Sequence, residues 1–441
     1  MDTRLTTDST FFGGIRWQVC AMIFFATTVN YLDRTVISYL KPYMAEEFGW
    51  DPASEAAYYA NIEMTFKLAY AIGMLFAGRL IDILGTRIGY ALATLVWSLA
   101  AVAHAWAGSA VAFGVARAVL GVSEAGNFPA AIKVTAEWFP RRERALATGI
   151  FNSGTNVGAI LVPLSVPVMA ELWGWRTAFI LTGALGFIWI VGWWLWYRLP
   201  EQHPRISEAE LAHIRSDSSS AEPVSSQVSW IALLRYRQTW AFAMGKFLTD
   251  PVWWFYLFWL PDFLRKEYHI SSGWDIMWPS AAVYLISTLG SIAGGWLPYR
   301  LIGLGWPVFK SRKTSMLIYA FAVMPIVLAQ YLGELNMWLA VGVIGLAAAA
   351  HQAWSANIFT TVSDMFPRKA TASVTGLGGM FGGLGGILLV LLVQKNLFVH
   401  YERMGDIQTG YYIMFLICGA AYLLAWLVMH LLVPKMDPVD L

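Results

Sequence analysis

The chain has 441 residues, of which 58% are hydrophobic and 13% charged, with a formal net charge of +2 and a mean hydropathy of +0.54. A soluble domain carries about 25% charged residues, so the composition excludes a large soluble core and describes a chain that crosses a membrane many times. The near-neutral balance gives no nucleic-acid partner. The two cysteines, Cys20 and Cys418 in the first and last apolar runs, form neither a disulfide framework nor a metal spacing.

Residues 1–16 are polar, lack an Ala-x-Ala cleavage site and lead into a full-length apolar run, which predicts an uncleaved first helix. Runs near 17–40, 57–79, 88–108, 110–138, 145–170 and 177–198 are each long enough to cross a bilayer, which takes about 20 residues. They resume near 239–264, 275–302, 313–332, 336–361, 371–396 and 409–432. The chain is thus predicted as an all-α membrane protein of about twelve spanning helices; the runs are too long and too little alternating for a β-barrel. Residues 1–198 and 239–441 are read as two six-helix bundles, and 199–238 as a polar linker. In that linker Ser207 and Glu210 have capping-box spacing and open a short helix through Ile214. The serine-rich 216–229 is read as flexible. Lysine and arginine concentrate on the side of the N-terminus, which puts both termini in the cytoplasm.

Charges inside the spans carry the functional reading. The first span holds Asn30, Tyr31, Leu32, Asp33 and Arg34; an acid or an arginine there costs about 2.5–3.5 kcal/mol on insertion scales, so it is expected to face a polar cavity. Span two carries Glu63, Lys67 and Tyr70 on one helical face, and span four carries Arg117 and Glu124 two turns apart. Span seven offers Lys246, Asp250, Trp253, Trp254 and Tyr256, and span ten His351, Gln352, Trp354 and Asn357. Each has a plainer alternative. Glu63 can be solvated at its span's end, and Lys133 and Asp250 can lie near interfaces or be locally paired. The tryptophans can be interface or packing residues, Arg117 a structural partner of Glu124, and His351 a core histidine.

Taken together, Arg34, Lys67, Arg117 and Lys246 are more cations than packing needs and are suited to holding an anion. Guanidinium binds a carboxylate as a bidentate fork and lysine acts as a movable point charge. Tyr31, Tyr70, Asn152, Asn156, Gln352 and Asn357 can hydrogen-bond hydroxyl groups, and tryptophan faces can stack on a sugar-like ring. Asp33 and Glu124 are natural proton carriers, because burial disfavours a charged carboxylate while a nearby cation favours it.

An internal repeat bears on the fold. Glu137 to Gly149 and Asp364 to Gly376 share Phe-Pro-Arg, Ala and Thr-Gly at a constant offset of 227 positions, without a gap. A repeat in the same orientation indicates two halves related about an axis along the membrane normal, and it makes His351 the mate of Glu124. Gly78, Asp82, Gly85 and Arg87 form a GxxxDxxGxR loop between spans two and three, expected to act as a tight turn and charge latch. Its counterpart, Gly295 to Arg300, is degenerate.

These segments resemble the major facilitator superfamily, and within it the anion:cation symporter family. The resemblance rests on Asn30 to Arg34, on Arg117 with Glu124 to Ala130, and on the stretches Thr65–Gly73, Ala145–Gly154, Asp250–Tyr256 and His351–Asn357, which are most similar to the bacterial hexuronate branch. It implies an inner-membrane carrier that takes up a sugar acid, such as glucuronate, galacturonate or an aldonate, with protons by alternating access. It also implies that Arg34 grips the carboxylate and that Asp33 and Glu124 carry protons, with Arg117 modulating Glu124. The expected partners are the sugar-acid anion and the lipid bilayer, with the chain a monomer and no cofactor beyond the coupling protons. An organic-anion exchanger, a transport-free sensor and a membrane enzyme are the competing readings. No Ser-His-Asp set, HExxH or nucleotide loop supports an enzyme, and the glycines of span eleven, Gly376 to Gly386, lie in an apolar run as close-packing positions.

Overall fold

A computed structural model of the chain describes residues 14–50, 52–216, 230–268, 274–389, 391, 397, 400–401 and 404–440. The described residues are almost entirely helical and contain no strand, as expected where lipid leaves the backbone no water to bond. The first half comprises α1 (Ile15–Phe48), α2 (Pro52–Leu84), α3 (Thr86–Ala103), α4 (Ala110–Glu124), α5 (Asn127–Trp138), α6 (Arg141–Trp173) and α7 (Trp175–Trp196). The short α8 (Glu208–Arg215) and α9 (Trp230–Leu233) belong to the connection. The second half comprises α10 (Arg237–Tyr268), α11 (Trp274–Gly303), α12 (Val308–Val323), α13 (Ala329–Leu335), α14 (Met337–Met365), α15 (Arg368–Leu388) and α16 (Ile407–Leu432).

Each predicted apolar run falls on one of these helices or on a consecutive pair, except that the end of the run near 371–396 passes beyond Leu388 and lies mostly outside the described residues. Among the described residues, 8 helical segments are long and apolar enough to cross a membrane. Helices α1, α2 and α10 fall outside that set, and they carry Asp33 and Arg34, Glu63 and Lys67, and Lys246 and Asp250. Predicted span four is not one helix: it breaks at Ala125–Gly126, directly after Glu124. Pro129 has no N–H for the carbonyl of Ala125, and Gly126 is a poor helix former, so the break follows from the sequence. The predicted span over 313–332 runs through a tighter turn at Met324–Leu328, which contains Pro325. Gly85 at φ 78 joins α2 to α3, and Gly174 at φ 83 joins α6 to α7; both values lie in the region that glycine enters without penalty.

The repeat is visible in the backbone. Pro140 opens α6 and Pro367 opens α15, both at φ −64 and ψ 155. The Thr-Gly pair shared by the two copies also explains how the halves meet. Gly149 on α6 packs against the backbone of Ser291 on α11, and its mate Gly376 on α15 packs against the backbone of Met74 on α2. Reciprocally, Gly295 on α11 meets Ala145 and Gly78 on α2 meets Ala372. The degenerate counterpart of the GxxxDxxGxR loop has therefore kept the glycine that the interface requires.

Ser207 caps α8, accepting from the Glu210 N–H at 3.1 Å, but the Glu210 carboxylate does not complete a capping box. It accepts instead from the N–H groups of Ile15 and Arg16, both at 3.1 Å, so the linker helix caps the start of α1. His213 bonds Glu143 at 2.8 Å, tying the same helix to α6. At the other end of the chain, the Val439 N–H donates to the Met365 carbonyl at 2.8 Å. Both ends of the described chain thus lie at one end of the bundle, with the linker. Most of the stretch read as flexible, 217–229, lies outside the described residues.

Candidate functional site

The two halves enclose a cleft of about 580 Å³, its open mouth included. From the first half it is lined by Tyr31 and Arg34 of α1, Tyr70 and Met74 of α2, Phe128 of α5, and Asn152 and Thr155 of α6. The second half supplies Lys246, Asp250, Trp253 and Trp254 of α10, His351, Gln352, Ser355 and Phe359 of α14, and Gly379 and Gly383 of α15.

Arg34 is the best-held cation in this space. Its Nε donates to Glu124 Oε2 at 2.9 Å and Nη2 to Asn30 Oδ1 at 3.1 Å. The guanidinium lies 4.5 Å from the Tyr31 ring, 4.6 Å from Tyr70 and 5.4 Å from Phe66, contacts that orient it through the ring quadrupoles. The Tyr70 hydroxyl is also within hydrogen-bond reach of this guanidinium. Arg117 does not pair with Glu124: its Nη2 donates to Glu63 at 2.8 Å and to the Arg34 carbonyl at 2.9 Å. The structure therefore gives Glu124 to Arg34 and Glu63 to Arg117. Asp33 is buried beside this network, with neither carboxylate oxygen hydrogen-bonded among the described residues, and both Glu124 and Arg117 are within electrostatic reach.

Across the cleft, Lys246 donates to Asp250 at 2.8 Å one turn along α10 and sits 4.0 Å over the Phe359 ring. His351 stacks on Trp253 at 4.9 Å and 5° and bonds the Tyr422 hydroxyl at 2.5 Å. Where one half has an acid, its mate in the other is thus a stacked imidazole. Asn152 donates to Gln352 at 2.5 Å, joining the halves at the cleft.

Of the residues singled out from sequence, Tyr31, Arg34, Tyr70, Asn152, Lys246, Asp250, Trp253, Trp254, His351 and Gln352 come together on the wall. Five others expected to meet the substrate do not line it. Lys67 is half-buried within electrostatic reach of Glu63 and Arg117. Asn156 is buried on α6 behind Asn152. Asn357 lies about two-thirds of a turn round from His351 and donates to the Gly294 carbonyl at 2.8 Å. Trp354 packs edge-on against Tyr422 at 5.6 Å. Tyr256 lines a separate apolar hollow with Phe263 and Phe415. Ser355, Phe359 and Met74 were legible as the next turns after His351 and Tyr70, and Thr155 after Asn152; Phe128, Gly379 and Gly383 gave no polar signal.

The cleft is sealed toward the linker. Phe128 and Phe359 stack across the halves at 5.1 Å and 17°. Below them Thr360 bonds Thr148 at 3.4 Å, Arg144 donates to the Ser363 carbonyl, and Arg312 bonds Asp364 at 3.0 Å and the Arg141 carbonyl at 2.7 Å. Asp82 accepts from Lys133 at 2.8 Å and from the N–H groups of Ser373 at 2.7 Å and Ala372 at 3.4 Å near the start of α15. The charge set against Asp82 is thus Lys133, while Arg87 donates to the Trp194 carbonyl at 2.9 Å. Replacing Asp82 by Asn removes charge-assisted bonds of about 1.5–3 kcal/mol each and is expected to open this end. In a background with Cys20 and Cys418 replaced by alanine, a cysteine introduced at the buried Thr148 should then react with a bulky thiol reagent several-fold faster; an unchanged rate would show that the latch does not hold the halves.

Comparison with known proteins agrees with this architecture. The chain is 33% identical over 385 residues to the Hexuronate transporter of Escherichia coli (strain K12), covering 86% of this chain and 87% of the relative. It is 32% identical over 291 residues to the Galacturonate transporter of Dickeya chrysanthemi, covering 65% of this chain and 82% of the relative. Its fold matches the proton:xylose symporter XylE, solved with 6-bromo-6-deoxy-D-glucose, at a TM-score of 0.75 and 14% identity over 96% of both chains. The Major Facilitator Superfamily profile matches residues 23–390. With its two repeated helical halves meeting around a central cleft, this chain belongs to the major facilitator superfamily.

Proposed function

We propose that the chain is a secondary active transporter that carries a hexuronate, glucuronate or galacturonate, together with protons by alternating access. The observation that carries this reading is Arg34: a guanidinium held against two tyrosine rings, fronting the cleft, with a buried acid behind it. The names of the two curated relatives favour a sugar acid as the anion.

The geometry suggests how protons and anion are linked. An incoming carboxylate competes with Glu124 for the same guanidinium. Protonating Glu124 removes half of that ion pair and frees the Nε edge for a bidentate bond to substrate. Asp33 is a second buried acid of the same network, within electrostatic reach of Glu124 and Arg117. Asn152 and Gln352 bring hydroxyl contacts from both halves, and Trp253 and Trp254 offer ring faces. With the linker cytoplasmic, the closed linker end corresponds to a carrier ready to load from outside. Rocking of the halves then opens the linker end, and proton loss returns Glu124 to Arg34 and expels the anion.

The test is substrate-driven proton movement. Adding galacturonate to lightly buffered proteoliposomes should acidify an internal pH dye, and xylose should not. A galacturonate flux that leaves the internal pH unchanged would remove proton coupling from the account.

A further inference from the structure

The two cation–acid pairs that face the cleft are stacked in opposite order. In the first half the cation stands in front: the Arg34 side chain is 19% exposed and Glu124 behind it 0%. In the second half the acid stands in front: the Asp250 side chain is 19% exposed and Lys246 6%. Lys246 is further withdrawn because its ammonium lies 4.0 Å over the Phe359 ring. The cleft therefore presents a positive face on one side and a negative face on the other, although its pairs balance. Tyr31 and Tyr70 lie between them, each within electrostatic reach of Glu124 and of Asp250. The position of Asp250 is built: a side chain at Gly382 on α15 would collide with its Oδ2, so the neighbouring helix has left room for that carboxylate.

We propose that Asp250 is a specificity residue that excludes a second carboxylate from the cleft. Resting on the sugar-acid reading above, this makes the site one for acids charged at one end and neutral, hydroxyl-bearing at the other. An ionised carboxylate is an acceptor only. A hydroxyl at the far end of the substrate donates to Asp250, whereas a carboxylate there meets like charge in a partly desolvated space and gains no donor. The withdrawn Lys246 holds Asp250 in place and does not reach past it to a second anion. Discrimination then comes from a repulsive element opposite the attractive one, which separates ligands more sharply than attraction alone.

The test uses D-galactonate and galactarate, which share one carbon chain and differ only in a terminal CH₂OH or carboxylate. Binding to purified full-length protein is read by tryptophan fluorescence at pH 7, since Trp253 and Trp254 line the cleft, with galacturonate as the reference ligand. Wild type should bind galactonate at least tenfold more tightly than galactarate; where only galacturonate binds, it replaces galactonate in the ratio. Asp250→Asn should collapse that ratio toward one, because Lys246 is left uncompensated and open to the second carboxylate. Combining it with Lys246→Gln should lose galactarate again. Lys246→Gln alone leaves Asp250 bare and should widen the ratio, which decides the matter if Asp250→Asn does not fold. Wild type binding galactarate as tightly as galactonate, or Asp250→Asn keeping the wild-type ratio while still binding galacturonate, would overturn the assignment of Asp250 alone. Wild type binding none of the three acids would overturn the sugar-acid reading, and this inference with it.

Discussion

Arg34→Ala is expected to abolish measurable hexuronate binding and uptake while leaving the protein folded. Truncating one member of a buried, hydrogen-bonded charge pair costs about 2–5 kcal/mol, which is about 30-fold to several thousand-fold in affinity. The loss should sit at the high end here for two reasons. The guanidinium is already oriented by Tyr31 and Tyr70 at 4.5 and 4.6 Å, so wild type spends little ordering it. In addition, the variant leaves Glu124, fully buried, facing the space the substrate carboxylate would enter. Arg34→Lys should recover only part of the affinity, because an ammonium keeps the charge but not the fork. Galacturonate titration of the purified variants checks both. Wild-type affinity in Arg34→Ala would move the anchor elsewhere, with Lys246 the next cation on the wall.

Glu124→Gln should separate transport from coupling. The amide keeps a side chain against Arg34 but neither carries charge nor exchanges a proton, so the guanidinium stays available to substrate at every pH. Counterflow of labelled galacturonate against unlabelled is therefore expected to survive, whereas accumulation driven by a proton gradient should fall to the equilibrium level. A gradient of one pH unit supplies about 1.4 kcal/mol per proton, or tenfold accumulation, so the loss is easy to resolve. Accumulation persisting in Glu124→Gln would transfer the coupling role to Asp33, the other buried acid of the network.

The fold was largely legible because membrane spans announce themselves by length and apolarity, and because Phe-Pro-Arg and Thr-Gly recur at one spacing in both halves. The sequence could not show that the shared glycines are where the halves touch, since that follows from packing between distant helices. The charged candidates were legible one by one, but their pairing was not. Arg117 and Glu124 sit on one face of one helical run, which invites pairing them. The break at Ala125–Gly126 and the approach of α1 instead give Glu124 to Arg34 and Glu63 to Arg117. Asn357 and Trp354 show the converse limit: polar and aromatic residues close in sequence to His351 turn away from the cleft when the 3.6-residue period carries them round. From sequence Asp250 reads as one more charge of span seven, near an interface or locally paired. Which of the two fronts the cleft depends on Phe359 and Gly382, both far away in the chain.

Coupling of a proton gradient to movement of a hexuronate is what Arg34, Glu124 and Asp33 are proposed to perform together. The most direct measurement is uptake of radiolabelled glucuronate and galacturonate into proteoliposomes with an inward proton gradient, without one, and with an inward sodium gradient in its place. Accumulation above equilibrium is expected under the proton gradient alone, collapsing on addition of a protonophore. Uptake that only equilibrates under all three conditions, or that follows sodium, would contradict it.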